Sequence, residues 1–192
     1  VKSGPNSFYT VGLPDGSAAK KGFTGVEKSC KDYDGILLEL RVLPRLSAET
    51  QAALVTFVAA RGGGLLLFGP SGTLPESLRK LLPLSRSEKR DVRGRIPLQI
   101  SSNLVFDQDK SGLVHAAPDP VVAGPQELWP VAELKPGARP VVVFKDTQQP
   151  LVAVQAYGSG RVLYAGLEST WSWRLESDIG LNRHNAYWQN LL

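Results

Sequence analysis

Two short apolar runs separated by an amphipathic stretch constrain this chain more than any other feature. Ile36-Leu37-Leu38-Glu39-Leu40 and Leu65-Leu66-Leu67-Phe68 each have the length of a strand. Between them Leu54, Phe57 and Val58 recur at the i, i+3, i+4 spacing of a helix. Ser47 stands where an N-cap belongs, just after the break at Pro44, and Gly62-Gly63-Gly64 closes the helix. Strand, helix and strand in so few residues make a βαβ unit, whose strands lie parallel with a right-handed crossover. The chain is therefore expected to be an α/β protein.

The rest of the chain is organised around that unit. Residues 1–32 read as an irregular approach segment. A short helix is expected from Leu74 to Leu82, closed by Pro83. Residues 84–140 hold Pro118, Pro120, Pro125, Pro130, Pro136 and Pro140, and although Ile96 to Ile100 alternates like a strand, the whole reads as a proline-rich excursion. Order returns at Val141-Val142-Val143-Phe144. Leu151 to Ala156 and Arg161 to Ala165 then form a hairpin about Gly158-Ser159-Gly160, and a terminal helix is expected from Arg183 to Leu192. One domain spans all 192 residues, which at this length buries roughly 70% of its unfolded surface.

Composition narrows the chemistry. The single cysteine, Cys30, forbids an internal disulfide, and with only His115 and His184 a metal site would need carboxylate help; neither metal nor cofactor is expected. Cys30 lies before the first strand, away from the carboxyl strand ends where α/β sites gather, so it is read as a packed or partly exposed thiol. No apolar run approaches the length of a membrane span, and VKSGPNSFYT is neither a signal peptide nor a translation start, so the sequence reads as a soluble piece of a longer chain. Residues 79–95 carry seven cations against two acids, leaving fifteen against sixteen elsewhere. Arg90, Arg93 and Arg95 are its candidate anion-binding surface, for lipid headgroups or another anionic partner. The stretch has no aromatic residue to stack bases, so no nucleic-acid partner is expected.

The loop Phe68-Gly69-Pro70-Ser71-Gly72-Thr73 is the sharpest local signal, because ligands of open α/β sheets collect outside the carboxyl ends of strands. It is similar to a nucleophile elbow with Ser71 as nucleophile, except that Thr73 stands where glycine is usual. The bland reading is a structural turn. Trp171 and Trp173 follow the end of a later strand at Gly166-Leu167-Glu168-Ser169, and fit either core packing or a cleft wall. The candidate cleft is thus Gly69, Ser71, Gly72, Glu168, Ser169, Trp171 and Trp173.

Several segments in order carry a family resemblance: Tyr33-Asp34 before the first strand, the Phe57-Val58 helix ending in Gly62-Gly63-Gly64, Leu81-Leu82-Pro83-Leu84, and Lys135-Pro136-Gly137-Ala138. Tyr157-Gly158-Ser159-Gly160-Arg161-Val162, Ser169-Thr170-Trp171-Ser172-Trp173-Arg174 and Tyr187-Trp188-Gln189 complete it. Together they resemble the class I glutamine amidotransferase-like domain of large bacterial membrane-associated proteins, often found with a von Willebrand factor A domain. The resemblance implies a three-layer, flavodoxin-like α/β sandwich with a mostly parallel central sheet and a C-terminal hairpin and helix. That family uses a cysteine on an elbow and a His-x-Glu pair. No cysteine follows either early strand here, and Gly166-Leu167-Glu168 keeps at most the glutamate, so glutaminase activity is not expected. The resemblance implies instead a catalytically silent interaction, scaffold or ligand-sensing module, partnered by other domains of a membrane-associated parent protein. The alternatives are a hydrolase using Ser71 and an anionic-surface binder using residues 79–95.

Overall fold

The structure, a computed structural model, describes residues 30–72, 74–100, 121–123 and 126–167. The expected βαβ unit is present. Strand β1 (Gly35–Glu39) and strand β2 (Gly64–Phe68) pair in parallel, Gly35 opposite Gly64 and Glu39 opposite Phe68. A 3-10 turn (Leu40–Arg45) and helix α1 (Ala48–Ala59) make the crossover. Ser47 caps α1 by accepting from the Thr50 backbone N–H at 3.1 Å. Ser47→Ala is expected to cost about 1 kcal/mol of unfolding free energy, read from the urea midpoint at unchanged m-value.

At its other end α1 is tied to a hairpin distant in sequence. Strands β10 (Pro150–Tyr157) and β11 (Gly160–Ala165) are antiparallel, and the Ser159 N–H at their turn donates to the Ala59 carbonyl at 2.9 Å. The turn thus satisfies a helix carbonyl that would otherwise lack a partner. Glycine is required at the contact, since a Cβ on Gly160 would lie 2.4 Å from the Gly63 carbonyl oxygen. Gly158-Ser159-Gly160 is a hairpin turn and helix cap.

Helix α2 (Glu76–Arg79) is a single turn within the longer helix expected there, and strands β3 (Leu84–Ser87), β4 (Arg90–Val92), β5 (Arg95–Ile100), β6 (Val121–Ala123), β7 (Gln126–Leu128), β8 (Val131–Leu134) and β9 (Arg139–Phe144) follow. The proline-rich excursion is therefore built largely of short strands among its described residues. The main sheet runs β1-β2-β11-β10-β9-β5-β6. Only β1, β2 and β11 are mutually parallel; β11–β10, β10–β9, β9–β5 and β5–β6 are antiparallel. This corrects the expectation of a mostly parallel, flavodoxin-like sandwich: the fold is strand-rich with a mixed sheet, and its described helical residues are few, in α1, α2 and a short helical stretch at 30–32. Prolines masked the strands because Pro130 and Pro136 fall between short strands and Pro140 near the start of β9, while Pro97 lies within β5 itself, where it pairs with Val121 of β6. The expected terminal helix, and most of the approach segment, lie outside the described residues.

Each face of the sheet has its own core. Leu65 and Leu67 of β2, Val162 and Tyr164 of β11 and Ala153 of β10 pack against Leu54, Phe57 and Val58 of α1 and against Leu78 and Leu81. Alternation along the strands sends Phe68, Leu163, Ala165 and Val152 to the other face, where Val92, Leu98, Leu128 and Phe144 meet them. Two accessory two-stranded sheets, β3–β8 and β4–β7, contribute to these opposite clusters: Leu84 and Val131 to the first, Val92 and Leu128 to the second. Cys30 belongs to the first cluster, 6% exposed. No helix among the described residues is long and apolar enough to cross a membrane.

Candidate functional site

A cleft of about 260 Å³ opens at the carboxyl end of β2. The chain leaves β2 at Gly69, whose φ of +94° gives the bend a backbone geometry that favours glycine. The Gly69 N–H donates to the Ala165 carbonyl at 3.2 Å, which keeps the bend against β11. Ser71 then reaches β3, its Oγ 2.5 Å from Ser87 Oγ. Leu74, Leu82 and Leu84 supply apolar lining, and Ser85, Arg79 and Arg86 supply polar lining.

Polar contacts, buried at Tyr164 and Gln155 and exposed at Lys135, hold this wall in place. Tyr164 Oη lies 2.7 Å from the Trp129 carbonyl and 3.1 Å from that of Gly69, so one hydroxyl ties the β2 exit to the β7–β8 connection. Gln155 Nε2 donates to the Leu81 carbonyl at 2.7 Å and fixes the segment after α2. Lys135 Nζ donates to the Arg79 carbonyl at 2.6 Å. Burial pulls the Lys135 ammonium below the ordinary lysine range, while Glu76 draws it back up and Arg79 pushes it further down. Tyr164→Phe is expected to leave a buried carbonyl short of a donor and to cost roughly 1–3 kcal/mol, measured by urea unfolding.

Ser71 does not occupy a nucleophile elbow. The positive φ falls on Gly69, two residues earlier, and Ser71 is not among the positive-φ positions. Its hydroxyl partner is another serine, which is no base at neutral pH. His115 and His184, the bases such a serine would need, lie outside the described residues, as do Glu168, Ser169, Trp171 and Trp173. Of the expected residues, Ser71 and Gly72 line the described cleft and Gly69 shapes the bend leading to it, while the rest of the wall is one that sequence reasoning did not assign. Arg79 and Arg86 belonged to the basic stretch, and the alternation Ser85-Arg86-Ser87 was the available signal.

The basic stretch does not form a row of bare cations. Arg86 meets Glu88 at 2.7 Å, and Lys89 meets Glu127 at 2.5 Å and Asp91 at 3.6 Å. The hydrogen bond to Glu127 raises the Lys89 pKa above the ordinary lysine value. Arg90 lies over the Phe144 ring, 4.4 Å from its centroid, with Asp146 at 3.9 Å. Arg93 is exposed after β4, and Arg95 opens β5. Glu127 and Asp146 are remote in sequence, which is why a local charge count overstated the patch. Among the described residues no group of three or more His, Cys, Asp or Glu is placed to hold a metal ion.

The fold defined by this mixed sheet is shared with parts of glycoside hydrolases. The chain is similar to the GH42 β-galactosidase Gan42B from G. stearothermophilus, with a TM-score of 0.57 and 20% identity over 86% of this chain and 22% of that one. A β-galactosidase from Bacillus circulans sp. alkalophilus is similar at TM-score 0.56 and 13% identity, covering 86% and 23%. A cytoplasmic protein of Salmonella typhimurium LT2 matches at TM-score 0.61 and 15% identity, over 86% of this chain and 73% of that one. The chain thus spans about a fifth of the length of the galactosidases it matches. What is shared is an open mixed sheet and not a closed barrel of eight parallel strands.

No family model and no curated protein matches. These findings overturn the amidotransferase resemblance: the structural neighbours include GH42 β-galactosidases and a cytoplasmic protein of Salmonella typhimurium. The segments that carried it are common punctuation, a helix end at Gly62-Gly63-Gly64 and a hairpin turn at Gly158-Ser159-Gly160. The inference of a silent amidotransferase-like scaffold loses its support with them.

Proposed function

We propose that this chain is a strand-rich, mixed-sheet part of a larger glycoside hydrolase that acts on β-galactosides. The observation carrying this reading is one of proportion: 86% of the chain finds its counterpart in about a fifth of a GH42 β-galactosidase. Glycosidic cleavage ordinarily needs two carboxyl groups flanking the bond. The described cleft lining contains neither Asp nor Glu, so the reacting carboxylates come from residues outside it. The role assigned to the described residues is a rigid sheet with a hydroxyl- and guanidinium-lined edge beside the substrate path. Isopropyl 1-thio-β-galactoside, which resists hydrolysis, is the probe. It is expected to raise the melting temperature of the natural protein in a saturable manner, while the thioglucoside does not. Equal shifts with both sugars, or none with either, would overturn the galactoside assignment.

A further inference from the structure

The lining of the cleft has a charge that galactoside binding does not call for. Arg79 and Arg86 meet Ser71, Ser85 and Ser87 around a space of about 260 Å³ that no described carboxylate lines. That volume lies just under the roughly 300–1,000 Å³ of drug-sized sites, which suits a small polar group. Arg79 Nη1 is 3.0 Å from Glu76 and its Nη2 donates to the Leu74 carbonyl at 3.1 Å, which orients the guanidinium. Arg86 Nη1 is 2.7 Å from Glu88.

Both arginine side chains are more than half exposed, so these ion pairs hold weakly and exchange readily for a stronger anion. A guanidinium carries five N–H donors, and one carboxylate contact leaves the fork of Arg86 able to take a second oxyanion. In the Ser71–Ser87 pair one hydroxyl proton makes the mutual bond and the other can donate elsewhere. Leu74, Leu82 and Leu84, all buried, form the apolar floor of the cleft.

We infer that the cleft binds a tetrahedral oxyanion, phosphate itself or the phosphomonoester of a small polyol, with Arg79 and Arg86 as charged ligands and Ser71 and Ser87 as hydroxyl donors. None of Arg90, Arg93 and Arg95 lines the cleft, and the site does not rest on the galactoside reading. Calorimetric titration of the natural protein with inorganic phosphate, glycerol phosphate and glycerol tests it. Saturable binding of phosphate or glycerol phosphate is expected, weakening with added sodium chloride, with no heat from glycerol. Tighter binding of glycerol phosphate identifies the ester as ligand, and tighter binding of phosphate identifies the free ion.

Arg86→Gln is expected to weaken binding about tenfold or more with little change in melting temperature. Arg161→Gln, on β11 and outside the cleft, is expected to leave it unchanged. Should Arg79→Gln unfold the Leu74 contact, Ser87→Ala serves as the second cleft variant, with a several-fold loss. The absence of saturable binding to either anion overturns the site. Equal weakening by Arg161→Gln and Arg86→Gln overturns it too, since binding would then be diffuse surface charge.

Discussion

Gly166→Ala is expected to lower the unfolding free energy by about 3 kcal/mol, a drop of roughly 6–12 °C in melting temperature for a chain of this size. A Cβ there would lie 2.1 Å from the Trp129 carbonyl oxygen and 3.1 Å from that of Leu151. Neither carbonyl is free to move. Gly166 N–H donates to Leu151 at 2.8 Å, Trp129 N–H donates to Gly166 at 2.7 Å, and Tyr164 Oη holds the Trp129 oxygen at 2.7 Å. Gly94→Ala is the control, because its Cβ would meet nothing within 4 Å and its φ is not positive. It is expected to be neutral or slightly stabilising through the unfolded chain. Thermal unfolding of the two variants decides the point, and similar losses for both would contradict the packing at Gly166.

Phe57→Ala is expected to cost about 4 kcal/mol, in the range of large-to-small aromatic changes in a core. Phe57 is 1% exposed and sits where α1 turns into β2. Its ring occupies the space a side chain on Gly63 would need, with Phe57 Cζ 2.1 Å from that Cβ position. Gly63→Ala alone should therefore be strongly destabilising. Combined with Phe57→Ala it should lose less than the two separate costs together, since the new methyl enters the vacated space. Urea unfolding of the single and double variants measures this coupling. Additive losses would mean that the ring and the glycine do not share a site.

The βαβ unit and the β10–β11 hairpin were legible in the sequence, whereas the short antiparallel strands of the proline-rich stretch were not. Leu54, Phe57 and Val58 fall at the i, i+3, i+4 spacing of a helix face, Ser47 marks the helix start and two apolar runs flank it, so the βαβ unit was visible in the local pattern. Strands β3, β4, β7 and β8 have three or four residues each, too few for alternation to rise above chance. Their pairing is set by distant partners, Leu84 with Leu134 and Arg90 with Leu128, which no local pattern reveals. The same limit shaped the site. Gly69 to Gly72 was legible because a loop after a buried strand is where ligands gather, whereas Ser87 joined it only through the fold. Arg86 looked like one cation among seven until Glu127 and Asp146 were found beside its neighbours Lys89 and Arg90. Diffuse turn signatures proved a poor guide to family for a related reason: glycines at Gly62 and Gly158 report a positive φ, and many folds need that.

Hydrolysis of aryl glycosides by the natural protein tests the central claim most directly. The β-galactoside, the α-galactoside and the β-glucoside are compared by their kcat/KM values. The account predicts turnover of the aryl β-galactoside with kcat/KM at least about tenfold above either of the other two, a difference of roughly 1.4 kcal/mol in transition-state binding. A folded protein that hydrolyses none of the three, or that prefers the α-galactoside or the β-glucoside, would contradict it.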